Sequence, residues 1–264
     1  MIRKLTKQDE SSVLGYLYKE PSINIFLIGD IENFGFDVDF QDVYAEFINE
    51  NYQSVVLRYK ENVLYYSHEE SFNEEWLSIF KQYDYQFISG RKTLIDLIYR
   101  YFPSYQEKPM YFCEVNQFDK EFVLDDSGII EVTNVEEAKK TFQLLTDIEE
   151  FDSMKEQSEE DFIKGKMESI KHSKCYYIEE DGICVSSVST VADTTRSAMV
   201  VAVATNPMYR KKGYASRLMI KLLHEYLVNR KKSLCLFYDN PKAGAIYHRL
   251  GFVDNDMWVM LIRK

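Results

Sequence analysis

The chain has 264 residues, 45% of them hydrophobic and 28% charged, a balance that excludes a disordered segment and predicts a folded protein of one large domain or two of ordinary size. Its net charge of −11 argues against long-range attraction to nucleic acid or to an anionic membrane surface, so neither is expected as a partner. The charge is uneven: residues 1–126 carry 12 basic and 23 acidic side chains, whereas residues 127–264 carry 20 of each.

In chain order, Asp9 to Tyr18 reads as helix and ends before Pro21, and Asn24 to Asn33 has a mixed apolar spacing consistent with a second helix. Val43 to Ile48, Ser54 to Tyr59 and Val63 to Ser67 are rich in Val, Tyr and Leu, and turn-forming residues separate them, which predicts a three-stranded antiparallel meander. Helix is then expected over Asn73 to Gln82, strand over Tyr85 to Ser89, helix over Thr93 to Phe102 and strand over Met110 to Val115. The acidic, turn-rich stretch Asp119 to Gly128 is the expected domain boundary, which gives domains 1–126 and 127–264.

The second half opens with a short strand, Ile129 to Val132, followed by helices over Val135 to Ile148 and Glu159 to Ser169. Strands follow over Cys175 to Glu179, Ile183 to Thr190 and Ala198 to Thr205, the first two joined by Asp181-Gly182, a strong hairpin signal. Gly213 to Arg230 is the clearest amphipathic helix. Strand Leu234 to Tyr238, helix Pro241 to Leu250 and strand Met257 to Ile262 close the chain. The two halves share an element order, so the expected fold class is α/β (α+β), two units of one design, each a mixed and mostly antiparallel sheet flanked by helices.

Cys113, Cys175, Cys184 and Cys235 form no C-x-x-C pair and have no histidine at ligand spacing, so no metal is expected. Met1 to Glu10 lacks the apolar stretch of a signal peptide and no run is long enough to span a bilayer, so the expectation is a cytoplasmic protein with reduced thiols.

Two segments carry chemistry. The first is Val203-Ala204-Thr205-Asn206-Pro207-Met208-Tyr209-Arg210-Lys211-Lys212-Gly213-Tyr214-Ala215-Ser216, which sets basic residues and a glycine between a strand and a long helix. A helix start presents free N–H groups and a positive dipole end, and residues 206–250 hold ten basic groups against Glu225 and Asp239, so a small anionic ligand is expected here. The segment fits neither G-x-x-x-x-G-K-[ST] nor G-x-G-x-x-G, and an ordinary strand-to-helix turn with solvated lysines would explain it equally well. The second segment is Asp239-Asn240-Pro241-Lys242-Ala243-Gly244-Ala245-Ile246-Tyr247-His248-Arg249-Leu250-Gly251-Phe252. Singly, Asn240 is an N-cap, Pro241 a first helical residue, Gly251 a C-terminal cap and Tyr247 a core aromatic. Together, Asn240, Ala243 and Tyr247 at i, i+3 and i+7 share one helix face.

These residues resemble the GNAT superfamily of CoA-dependent N-acyltransferases, marked by [RQ]-x-x-G-x-[GA] and then N-x-x-A-x-x-x-Y-x-x-x-G-F. Arg210, Gly213 and Ala215 complete the first pattern, and Asn240, Ala243, Tyr247, Gly251 and Phe252 complete the second. The resemblance covers residues 129–264, while residues 1–126 resemble a degenerate repeat without a diphosphate loop. It implies that Val203, Ala204 and Thr205 pair with a pantetheine arm. Arg210, Lys211, Lys212, Gly213, Tyr214, Ala215 and Ser216 would wrap a pyrophosphate, Asn240 would bond the pantetheine region, and Tyr247 would be the catalytic residue beside the thioester sulfur. Acetyl-CoA is the implied co-substrate, a primary amine on a small molecule or peptide the implied acceptor, and direct transfer the implied mechanism.

A phenol near pKa 10 is a weaker acid than a thiol near 8.5, an uphill transfer of about 2 kcal/mol, so Tyr247 is expected to hydrogen-bond the departing thiolate and release its proton late. The general base is a gap. The strand from Ala198 to Thr205 carries no carboxylate, and Glu149, Glu150, Asp193, the histidines and a water relay all remain open. Cys235 reads as a small buried side chain and His248 as solvent-exposed. A non-catalytic CoA-binding or interaction module is the alternative function. The acceptor, the acyl length and the oligomeric state, with a homodimer among the options, stay open.

Overall fold

Val55, Val56 and Leu57 are consecutive and each no more than 2% exposed, so the strand that carries them is covered on both faces. The computed structural model describes residues 1–117 and 122–264. Its elements begin with β1 (Ile2–Lys4), α1 (Glu10–Leu17), α2 (Ile25–Phe34), β2 (Gln41–Ile48), β3 (Asn51–Tyr59) and β4 (Asn62–Ser67). Then come α3 (Trp76–Phe80), β5 (Phe87–Arg91), α4 (Lys92–Tyr99) and β6 (Tyr105–Val115). The second series is β7 (Ile129–Glu131), α5 (Val135–Thr146), α6 (Glu159–Ser169), β8 (Cys175–Glu180), β9 (Ile183–Val191) and β10 (Ser197–Thr205). It ends with α7 (Tyr214–Leu223), β11 (Ser233–Tyr238), α8 (Pro241–Arg249) and β12 (Val253–Arg263). Each series runs β-α-α-β-β-β-α-β-α-β, so the repeat read in the sequence is real at the level of elements.

The chain packs as two units that are not contiguous in sequence. Unit 1 holds Met1–Cys113, Phe237–Pro241 and Asp254–Lys264, and unit 2 holds Glu114–Leu236 and Lys242–Val253. Part of the expected boundary, residues 119–121, lies outside the described residues.

In unit 1 the strand order is β1-β2-β3-β4-β5-β12-β6. The meander β2-β3-β4 is antiparallel as expected, and positive φ at both Asn49 and Glu50 gives the first turn the twist that hairpins favour. β12 lies antiparallel to β5, from Trp258 opposite Arg91 to Ile262 opposite Phe87. Val259 and Leu261 are fully buried with Trp76, Phe80, Ile88, Leu94, Ile95 and Ile98, so the last strand is part of the first unit's core. α3 is shorter than the expected 73–82, because the Asn73 carboxamide oxygen accepts from the Glu75 amide at 3.0 Å and holds the approach in turns. β6 starts at Tyr105 instead of Met110, in spite of Pro109.

In unit 2 the order is β11-β10-β9-β8-β7, with α5 and α6 packed together over one face. Asn134 accepts from the Glu137 amide at 3.0 Å and the Glu137 carboxylate returns to the Thr133 and Asn134 amides, a capping box that starts α5. Ser158 does the same work for α6, accepting from the Asp161 amide at 3.1 Å. Asp181 and Gly182, both at positive φ, make the hairpin turn read from the sequence. The expected helix 213–230 divides: α7 ends at Leu223, and His224–Asn229 widens into π-helical turns, closed by the Arg230 amide on Glu225 O at 3.0 Å. The wide turn buries both Tyr226 and Leu227.

Candidate active site

β10 is straight until Val201 and then bulges. Its register with β9 shifts between Val201 and Ala204, and Ala202 takes a φ of 53°. A bulge leaves its extra residue outside the ladder and turns the local amide away from the neighbouring strand. On the other side, the parallel pairing with β11 runs only from Ser197↔Ser233 to Met199↔Cys235, and among the described residues it ends there. Beyond Met199, β10 continues to Thr205 with Val201, Ala202, Val203 and Thr205 partly exposed. The first repeat differs at the matching place. β4 and β5 also pair in parallel over three residues, but a Cβ on Gly90 would lie 2.9 Å from the Tyr65 carbonyl, so those strands stay close.

The turn after β10 is locally determined. Asn206 Oδ1 accepts from the Met208 amide at 3.0 Å, and Pro207–Tyr209 form one tight helical turn. Lys211 at φ 66° and Gly213 at φ 85° then reverse the chain into α7. A Cβ on Gly213 would meet nothing within 4 Å, so the glycine is required by its left-handed backbone, and open space lies before it. Gly213 also caps the helix without any side-chain acceptor, so the first amides of α7 keep their donors as a helix start does. In unit 1 the corresponding connection, residues 68–75, holds Glu69, Glu70, Glu74 and Glu75 with no glycine and no Lys or Arg. An anion is drawn to the loop of unit 2 and repelled by that of unit 1.

The basic excess counted in the sequence is smaller in the fold. Arg210 turns back, donating from Nε to the Thr205 carbonyl at 3.1 Å and pairing with Glu150 at 3.1 Å. Arg217 pairs with Asp125 at 3.2 Å and Lys221 with Asp126 at 3.5 Å, so the segment before β7 is held against α7. Lys212 sits over the Tyr209 ring at 4.6 Å, and Tyr214 donates to Glu180 at 2.7 Å. Loop attraction for an anion therefore rests on backbone amides with Lys211 and Lys212 beside them.

α8 meets this loop through Arg249, which donates to Ser216 Oγ at 3.4 Å. Tyr247 is 7% exposed and packs edge-on to Phe252 at 6.0 Å, while Gly251 at φ 93° ends the helix as its position in the motif implied. Asn240 is exposed and immediately precedes α8. His248 is exposed and Cys235 fully buried, both as expected.

Two candidate bases change character. Asp193 is buried and closed by Arg230 at 2.8 Å, Lys232 at 2.5 Å and the Tyr226 hydroxyl at 2.9 Å, so it is a structural anion and not a proton acceptor for a substrate. The Arg210 guanidinium holds the Glu150 carboxyl below its usual range, which weakens it as a base. All four cysteines are buried thiols outside any disulfide, and burial pushes the Cys184 thiol up to about 12, which argues against a thiolate nucleophile at that position. Among the described residues, no group of three or more His, Cys, Asp or Glu side chains is placed to hold a metal ion, and no helix is long and apolar enough to cross a membrane.

Residues 138–252 match the model of the acetyltransferase (GNAT) family. Solved structures share the fold at low sequence identity. A GCN5-related N-acetyltransferase from Sphaerobacter thermophilus superposes with a TM-score of 0.61 at 12% identity, over 100% of this chain and 96% of that one. A GNAT-family acetyltransferase from Colwellia psychrerythraea gives 0.60 at 11% over the whole of both chains. A tandem GNAT protein from the clavulanic acid biosynthesis pathway gives 0.60 at 12%, over 99% and 97%. No curated protein sequence matches the chain.

Proposed function

We propose, from the match of residues 138–252 to the GNAT acetyltransferase family model, that the protein moves the acetyl group of acetyl-CoA directly to a primary amine. The observation that carries the reading is the junction of a bulged β10, its early parting from β11 and a glycine-turned helix start with open space in front. Those features fit the coenzyme. Lys211, Lys212, Gly213, Tyr214, Ala215 and Ser216 would hold its diphosphate, chiefly through backbone amides. Val203, Ala204 and Thr205 would offer strand groups to the pantetheine, and Asn240 would add a side-chain amide. Acetyl-CoA supplies the activated acyl group.

The protein's own part is electrostatic. An N–H donor next to the bulge, near Val203, stabilises negative charge on the acyl oxygen, and Tyr247 donates a hydrogen bond where the sulfur gains charge. Nothing in this scheme requires a covalent enzyme intermediate. Asp193 is locked and Glu150 is paired with Arg210, which leaves Glu149, the histidines or a water relay to take the amine's proton. A soluble cytoplasmic enzyme acting on a small-molecule or peptide amine, alone or as a homodimer, completes the reading.

The test is acetyl-CoA consumption over a panel of amines, peptides and amino-sugar antibiotics, beside calorimetric binding of CoA. Gly213→Glu places a carboxylate in the diphosphate's space and should remove CoA binding. Retained affinity would overturn the loop assignment. Tight CoA binding with no transfer to any amine would instead favour a non-catalytic module.

A further inference from the structure

Phe26 and Asp30 stand one turn apart on α2 and share one face of it. Ile25, Leu27, Ile28, Gly29 and Ile31 are buried, so this face is the partly open side of the helix. The Phe26 ring stacks on Phe237 with centroids 6.1 Å apart and an interplanar angle of 25°, and both approach Trp258, at 6.2 and 5.2 Å. All four residues belong to unit 1.

Asp30 differs from the other acids placed in the interior of this unit. Glu20 pairs with Arg91 and Tyr66, Asp42 with Lys4 and Arg58, and Glu46 accepts from Ser54 and Asn73. Among the described residues the Asp30 carboxylate has neither an ion pair nor a hydrogen bond, and burial alone pushes it up to about 7. Nearby, the fully buried Gln41 donates from Nε2 to the carbonyls of Asp30 and Gly35 and leaves Oε1 without a donor. This end of α2 therefore offers acceptors and no cation.

We propose that the Phe26–Asp30 face binds an organic ammonium ion that carries a hydrocarbon portion. The ammonium pairs with the Asp30 carboxylate and satisfies it, while the aromatic rings take the hydrocarbon and add cation–π attraction. A carboxylate repels an anion, and an uncharged ligand leaves it unsatisfied. A metal ion would need more ligands than the described residues bring together. The inference rests on the proposed amine acetylation for the reason such a cation is present. Phe237 and Tyr238 end β11, and the chain passes from them through Asp239 to Asn240 of the CoA motif.

The experiment uses the full chain without coenzyme, so that its outcome is separate from the transfer assay. Calorimetric titration with n-hexylammonium chloride and with 1-hexanol is expected to show at least tenfold tighter binding of the ammonium. Asp30→Asn, which keeps the shape of the side chain, should erase that preference and leave hexanol unchanged. Phe26→Leu, which keeps the apolar packing, should weaken the ammonium about threefold without removing the preference. Equal affinities for the two probes, no ammonium binding, or an undiminished preference in folded Asp30→Asn would overturn the proposal.

Discussion

Tyr247 touches Phe252 through its ring, a contact that Tyr247→Phe keeps. Tyr247→Phe should lower kcat by about 10- to 100-fold while CoA affinity stays near wild type, a split visible in steady-state kinetics beside calorimetry. Asp30 makes a different prediction. A carboxyl whose folded-state pKa is raised from its ordinary value of 3.8 to about 7 binds protons more readily folded than unfolded. Its burden on stability is absent below the unfolded value, grows as pH rises, and is complete above about 7, with an upper bound near 4 kcal/mol. Asp30→Asn should therefore raise the melting temperature of the ligand-free protein at pH 8, and the gain should shrink as pH falls to 5. At this scale the sequence shows which residues form the motifs, but not their partners. Arg210 was legible as part of a CoA pattern, and its pairing with Glu150 was not, because sixty positions separate them and no local spacing connects the two.

Elements differ in how far neighbouring residues dictate them. The meander, the Asp181-Gly182 hairpin, α6 and the start of α7 follow from apolar alternation, turn chemistry and caps, all of them local, and each was readable in advance. The bulge at Ala202 was not, since alanine gives no hint of a positive φ. Nor was the π-helical end of α7, where burial of Tyr226 and its bonds to Thr190 and Asp193 override a regular amphipathic pattern. The two parallel strand pairs give a prediction of their own. A methyl group on Gly90 would meet the Tyr65 carbonyl at 2.9 Å and Ile95 Cδ1 at 3.3 Å, and backbone cannot yield cheaply. Gly90→Ala should cost about 1–3 kcal/mol in denaturant unfolding, without touching the loop that Gly213 turns.

For the molecule as a whole, the repeat of element order was legible because both series show the same sequence of periods. The membership of β12 was not. A strand's apolar alternation reports that it is buried, never beside which strand, and here Asp254–Lys264 serve the first unit. Trp258, Val259 and Leu261 are each 3% exposed or less, and burial of such side chains is worth about 1.5–3 kcal/mol apiece, which together rivals the net stability of a typical domain. A chain ending at residue 253 should lose the cooperative unfolding of unit 1, with fast hydrogen exchange in β5 and α4.

Strand β12 also dictates a timetable for biosynthesis. β5 emerges early with its sheet neighbour still untranslated, and at about 5–20 residues per second the ribosome needs roughly ten to thirty seconds to reach residue 254. Through that interval the nascent first unit exposes an unfinished edge and an open core, a natural station for chaperones and for mispairing with other nascent copies.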